Sequence, residues 1–244
     1  MTSIAKIIRA WVHIIPTLVF LSSFICNTPA SFAANDSLLH LEDDLKNLST
    51  DNAVTIRSYI ERLKQQNITI SILEQKLHEG LAKNIPPQKL VTVLQQITEN
   101  SLWQNTLISS CICAQKPNTK NAMINLGNDA LLSAWTRKDL SAAIKIVCNS
   151  QDGANKLAIA FELYAYTTNR LRADKKLSLS FALAILTKKS FNTAASNQFV
   201  RVLQEIFKTR GNINNVLSFA TIRLNRGLSP RNTANEIREQ FLSK

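Results

Sequence analysis

The fold of this chain is decided by the stretch Ser71-Ile-Leu-Glu-Gln-Lys-Leu-His-Glu-Gly-Leu-Ala-Lys-Asn-Ile-Pro-Pro-Gln-Lys-Leu-Val-Thr-Val-Leu-Gln-Gln-Ile97. In both halves, apolar residues recur every three or four positions, which places them on one face of a helix. Between the halves, Asn84 tolerates a left-handed helix end and Pro87 fits the first turn of a new helix. Two adjoining apolar faces are buried together when the helices fold back as a hairpin, with Ile85 closing its end. The apolar positions are Leu73, Leu77, Leu81, Leu90, Val93, Leu94 and Ile97.

The order of apolar residues in this hairpin recurs in further copies along the chain. Because the spacings are unequal, two explanations stay open: divergent repeats, or hairpins that converged on one turn, which we favour. A weaker copy is centred on Phe191. The second copy is Met123, Gly127, Leu131, Trp135, Leu140, Ile144 and Val147, with Trp135 in the place of Ile85, and the third is Val216, Ala220, Leu224, Leu228, Thr233 and Ile237.

The turn of the first hairpin carries a short recognisable motif. Glu79-Gly-Leu-Ala-Lys83 followed by Pro86-Pro87 resembles a turn of uncharacterised exported helical proteins of bacteria. The resemblance covers residues 71–97. It implies an exported helical protein and brings no activity with it, since that group has no assigned chemistry.

The amino terminus has the layout of a secretory signal peptide. Lys6 and Arg9 precede an apolar run over residues 11–25, and Ser31-Phe-Ala33 forms a small-x-small cleavage site. The alternative is an uncleaved anchor, but the apolar run is interrupted and shorter than a membrane-spanning helix needs. We therefore expect a signal peptide over residues 1–33 and a periplasmic or secreted mature protein.

The mature chain, residues 34–244, is expected to form a single all-α domain. The whole sequence has only five glycines and six prolines, and alternating strand patterns are absent. The apolar periodicity predicts a multi-helical array of antiparallel helical hairpins, either an irregular bundle or a short α-solenoid. Residues 115–119 form the strongest internal break and could subdivide the domain, but we interpret them as a surface loop. Segments 157–166 and 177–186 are apolar nearly all round, which predicts the core of the carboxy-terminal half.

Signal-peptide cleavage leaves three cysteines, Cys111, Cys113 and Cys148, in an oxidising compartment. One hypothesis is a disulfide between Cys148 and one of the other two, because Cys111 and Cys113 are poorly placed for each other on a helix. The other is three buried free thiols. The spacing lacks the pairs typical of zinc ligands and the Cys-x-x-Cys of redox enzymes, so we expect no metal and no cofactor.

The positive charge is concentrated in the second half of the chain. The chain has a net charge of +12, and residues 34–99 contribute −2 whereas residues 100–244 contribute +12. Such a cation attracts an acidic envelope protein or an anionic lipid surface. Nucleic acid is not expected, since aromatic residues are not interleaved with the charges. The alternative is a set of solvated charges that favour helix dipoles. The candidate residues are Arg170, Arg172, Lys175, Lys176, Lys188 and Lys189, with Lys208 and Arg210 in a further connection.

These observations favour an exported helical binding or scaffold protein of the cell envelope. The alternatives are association with anionic envelope lipid and an exported enzyme of unrecognised type. Catalytic ingredients are few: His78 adjoins Glu79, and Glu162 lies in an apolar helix. No catalytic or phosphate-binding motif is present, so we expect no catalytic residue.

Overall fold

The computed structural model describes residues 41–133 and 135–242, so the expected signal peptide over residues 1–33 lies outside the described residues. Within these residues there is no β-strand, and the all-α prediction is confirmed. No helix in the described ranges combines the length and the apolar character needed to cross a bilayer. A helical segment at 41–46 is followed by α1 Thr50–Gln65, α2 Ser71–Ala82, α3 Pro87–Ile108, α4 Pro117–Leu132, α5 Arg137–Val147, α6 Gly153–Ala165, α7 Lys175–Leu186, α8 Thr193–Lys208, α9 Ile213–Asn225 and α10 Pro230–Leu242.

The helices form an array in which each one packs on neighbours close to it in the chain. In the amino-terminal half, α3 is flanked by α1, α2 and α4. Further along, α6 lies between α4 and α7, and α7 also packs on α9. The array ends with α10, which contacts both α8 and α9. Nearly all of its stabilising contacts therefore join helices that are one or two elements apart.

The first hairpin has the turn that its sequence predicts. Asn84 adopts a left-handed conformation with φ of 53°, and Pro87 is the first residue of α3. The N–H of Ile85 donates to the carbonyl oxygen of Gly80 at 2.9 Å, which closes the end of α2. A Cβ added at Gly80 would lie 2.5 Å from Cδ1 of Leu90, so glycine allows the two helices to approach closely.

The other predicted copies end their first helix in a closely similar way. The N–H of Trp135 donates to the carbonyl oxygen of Ala130 at 3.1 Å, and that of Leu228 to Arg223 at 3.2 Å. Phe191 differs, because its N–H donates to Lys188, only three residues earlier. The shared turn accounts for the recurring apolar residue after each helix, and it suits both divergent repeats and convergence.

The two segments that are apolar nearly all round become α6 and α7, which pack directly on each other. Both helices carry completely buried small residues, Ala160 in α6 and Ser178 and Ala182 in α7, and small side chains permit close approach. Phe181 extends the core toward α8 by an edge-to-face contact with Phe199, with ring centroids 5.2 Å apart.

The break around residues 115–119 is shorter in the structure than the sequence predicts. A 3₁₀ turn, Ile112–Ala114, follows α3, and α4 already begins at Pro117. Proline is favourable in a first helical turn, and the following residues therefore continue as helix. Helix α4 packs on α3 before this connection and on α6 after it.

Candidate functional site

Four of the predicted basic residues lie where the chain passes from α6 into α7, two of them before α7 and two in its first turn. The backbone widens after α6 into a π-helical turn, Tyr166–Arg170, and α7 begins at Lys175. The carboxylate of Asp174 caps α7 by accepting hydrogen bonds from the N–H groups of Lys176 and Leu177. The side chains of Arg170, Arg172, Lys175 and Lys176 are all exposed.

The connection between α8 and α9 lies against this one. Asn214 in α9 accepts a hydrogen bond of 2.9 Å from the N–H of Asp174. On the other side, the side chain of Gln204 in α8 lies close enough to Tyr166 to interact with its hydroxyl group. Because these contacts hold the two connections together, two further cations join the four. We call the resulting surface the basic edge, and it consists of Arg170, Arg172, Lys175, Lys176, Lys208 and Arg210.

The basic edge is poor in compensating charge. Residues 166–177 and 204–215 contain six basic residues and two acidic ones, Asp174 and Glu205. Asp174 is engaged as a helix cap, and Glu205 is paired with Arg238 at 3.5 Å. Within the described part of the chain, no salt bridge involves any of the six basic side chains. The edge therefore presents an uncompensated positive field to solvent.

Lys188 and Lys189 lie apart from the basic edge. They follow the carboxy-terminal end of α7, whereas Lys175 and Lys176 begin it. A helix of twelve residues separates its ends by about 18 Å. Lys189 is instead close to α6, since Nζ of Lys156 donates to its carbonyl oxygen at 3.5 Å. The structure thus divides the six predicted residues into a group of four and a separate pair.

Local backbone energetics do not favour cations at several positions of the basic edge. Lys175 and Lys176 occupy the first turn of α7, where the helix dipole disfavours positive charge. Arg172 and Arg210 have φ of 54° and 57°, in the left-handed region that suits glycine or asparagine better. The dipole does favour Lys208, in the last turn of α8. Solvated charges at helix carboxy termini therefore account for only part of the edge.

The three cysteines lie together where the ends of α3 and α5 meet. Cys111 and Cys148 form a disulfide, one of the two bridges considered from the sequence. Cys113 is a buried free thiol whose Sγ lies 3.6 Å from Sδ of Met123, and burial raises its thiol pKa. Its backbone N–H donates to the carbonyl oxygen of Cys148 at 3.3 Å. The thiol is thus packed and protonated at neutral pH, which suppresses its reactivity.

The structure does not bring the candidate acid and base residues together. His78 is 72% exposed at its side chain, and Nδ1 lies 3.2 Å from Oδ2 of Asp44. Glu79 pairs instead with Nζ of Lys76 at 3.1 Å, and Glu162 is exposed. A surface depression of about 440 Å³ lies elsewhere, against α8 and α10. It contains none of these side chains.

A charged cluster between α2 and α4 was missed by sequence reasoning. Asp129 interacts electrostatically with Lys76 and Glu79, and burial raises the pKa of its carboxyl. The two helices are linked further by Asn125, whose amide donates to Oγ of Ser71 at 3.0 Å. Spacing along α4 is the one available signal, because Asn125 and Asp129 lie four residues apart on one helical face.

The described fold and site define an all-helical array of hairpins with a cationic edge. The chain matches no known protein-family model, and comparisons with curated proteins and with solved structures found no match.

Proposed function

We propose that this protein is an exported helical binding protein of the cell envelope that recognises an anionic partner through the basic edge. The observation that carries the proposal is the placement of cations where backbone energetics oppose them. Lys175 and Lys176 lie at the amino terminus of α7, and Arg172 and Arg210 take left-handed conformations. Backbone strain of this kind concentrates at functional sites, where another interaction compensates for it.

The arrangement is suited to binding a charged surface. Six exposed cations from two connections lie at one end of α6, α7, α8 and α9, so an extended anionic partner can contact several at once. Each contact is screened by salt, because the side chains are solvent-exposed. We therefore expect reversible binding that depends strongly on ionic strength.

Retention of the mature chain, residues 34–244, on an immobilised sulfated polysaccharide tests the basic edge as a polyanion-binding surface. One variant, which we call the edge variant, carries alanine at Arg170, Arg172, Lys175 and Lys176. The charge-matched control carries alanine at four exposed or half-buried cations elsewhere: Lys138, Lys145, Lys188 and Lys189. We expect the edge variant to elute at much lower salt than the control. Equal elution of the two variants would show that net charge alone determines binding and would overturn the proposal.

The same variants exclude an indirect effect of misfolding. Removing Lys175 and Lys176 from the first turn of α7 relieves an unfavourable interaction with the helix dipole. The edge variant should therefore unfold at the same urea concentration as the wild type, or at a higher one. Any loss of retention then reports on binding.

Export is tested separately by the mass of the chain recovered from a bacterial periplasmic or culture fraction. We expect a protein that begins at Ala34. Recovery of the uncleaved chain from the cytoplasm would contradict the envelope assignment while leaving the anion-binding test unaffected.

A further inference from the structure

We infer that the anionic partner of the basic edge is a lipid bilayer surface, into which Phe207 inserts. This inference rests on the proposed function and specifies its partner. It starts from Phe207, which is 47% exposed in the last turn of α8 and directly precedes Lys208. A single exposed apolar side chain is ordinary on a protein surface, so what distinguishes Phe207 is its position beside Lys208 in the basic edge.

Phe207 belongs to the face of α8 that meets the basic edge. Gln204 contacts Tyr166, and Phe207 and Lys208 follow it by three and four residues on the same helical face. The carbonyl oxygen of Phe207 also accepts a hydrogen bond of 3.1 Å from the N–H of Arg210. Phe207 therefore lies in the chain directly before Lys208 and three residues before Arg210, two cations of the basic edge.

The combination fits the interface of an anionic bilayer. Peripheral membrane proteins pair a buried apolar group with electrostatic attraction to anionic headgroups. Lysine and arginine side chains near such a surface each strengthen binding, and the attraction decays within a Debye length. A ring in the last turn of a helix, next in the chain to exposed cations, supplies both contributions at one place.

Single-stranded nucleic acid fits the same surface less well. Its binding sites combine a cationic groove with several aromatic rings on which successive bases stack. Among the described residues, Phe207 is the one exposed aromatic side chain, while Tyr166 is half-buried beside Gln204. One exposed ring suits insertion into headgroups better than a stacking series.

The test is sedimentation of the mature chain with vesicles of phosphatidylglycerol and phosphatidylcholine, beside vesicles of phosphatidylcholine alone. The variant is Phe207→Ala. Its matched control is Ile222→Ala, because Ile222 is equally exposed at 47% but lies toward the far end of α9 from Asn214. Two polyanions that lack a bilayer are tested beside the vesicles. One is a soluble oligonucleotide, and the other is the immobilised sulfated polysaccharide.

We expect binding to the anionic vesicles and not to those of phosphatidylcholine alone, with an affinity that falls steeply between about 50 mM and about 500 mM NaCl. Phe207→Ala should weaken vesicle binding roughly tenfold, as expected for loss of one large apolar group, and should leave polysaccharide retention unchanged. Ile222→Ala should leave both unchanged.

Three results would overturn the inference. If Phe207→Ala and Ile222→Ala bind vesicles equally, the ring is not inserted. If the wild type binds the polysaccharide or the oligonucleotide but not anionic vesicles, the partner is a different polyanion and the proposed function stands without the bilayer. If it binds none of the three probes, the proposed function fails as well.

Discussion

The side-chain oxygen of Asn214 accepts a hydrogen bond of 2.9 Å from the backbone N–H of Asp174, forty residues earlier. Asp174 at the same time caps α7 with its carboxylate. Asp174 therefore both caps the start of α7 and joins that start to α9. The four cations that precede and begin α7 depend on this contact for their place beside Lys208 and Arg210.

We expect Asn214→Ala to lower the free energy of unfolding by about 1 kcal/mol, the usual net contribution of one hydrogen bond. It should also reduce retention on the sulfated polysaccharide, because the two connections are no longer held together. Urea unfolding and salt elution measure the two effects. The control is Asn215→Ala, whose side chain is exposed. Identical behaviour of the two variants would show that the Asn214 contact does not organise the edge.

The disulfide should make a large contribution to stability. Cys111 and Cys148 close a loop of 37 residues, which corresponds to about 4 kcal/mol on the chain-entropy model. We expect Cys148→Ser to lower the free energy of unfolding by that amount, and reduction of the wild type to have a similar effect. Urea titrations with and without reductant measure it.

Cys113→Ala is the control for that experiment, because it removes the thiol that is not bridged. Its stability should remain sensitive to reductant, as in the wild type. Loss of reductant sensitivity in Cys113→Ala, or its persistence in Cys148→Ser, would assign the bridge to a different pair.

Asp129 should make stability depend on pH in the opposite direction from an ordinary paired carboxylate. Its folded-state pKa is raised, chiefly by burial, so the folded protein holds the proton to a higher pH than the unfolded chain. Stability from this group therefore falls as pH rises from the unfolded pKa through the folded one. Asp129→Asn should stabilise the protein at pH 7 and lose that advantage at acidic pH.

Urea unfolding of Asp129→Asn across this pH range checks the sign. Asp152→Asn is the control, since Asp152 is exposed and its side chain does not cap α6. A variant that is less stable than the wild type at pH 7 would show that the interaction with Lys76 outweighs burial.

Gly153 should tolerate substitution poorly. A Cβ at this position would overlap the backbone oxygen of Val147 and lie 2.9 Å from Cβ of Cys113, so the backbone must shift. We expect Gly153→Ala to cost about 1 to 3 kcal/mol, as overpacked cores do. Gly80→Ala is the comparison, because its added Cβ meets only the side chain of Leu90, which can rotate. A larger loss for Gly80→Ala in urea unfolding would contradict this ranking.

The hairpins were predictable because their information is local. Asn84 and Pro87 each favour one backbone conformation, and together with the apolar spacing they specify a helix end, a turn and a helix start. The break at residues 115–119 was predicted too long for a related reason. Residues 115–119 were interpreted together as a loop, whereas Pro117 begins α4.

The basic edge was only partly predictable because it depends on tertiary contacts. Spacing in sequence groups Arg170 with Lys175, but it does not show that α7 carries Lys188 to the opposite end. The contribution of Lys208 depends on polar contacts made by Gln204 and Asn214, ordinary surface residue types with no pattern that links them to α6 or α7. The charged cluster around Asp129 was missed for the same reason, since its neighbours Lys76 and Glu79 come from α2.

The Cys111–Cys148 bridge spans the connection before α4, all of α4 and all of α5. A protease that cuts once between residues 112 and 147 therefore leaves two fragments that stay covalently joined. Such a nicked protein migrates as one band on a non-reducing gel and as two after reduction. The bridge thereby keeps both halves of the chain together after a cut in the connection between α3 and α4.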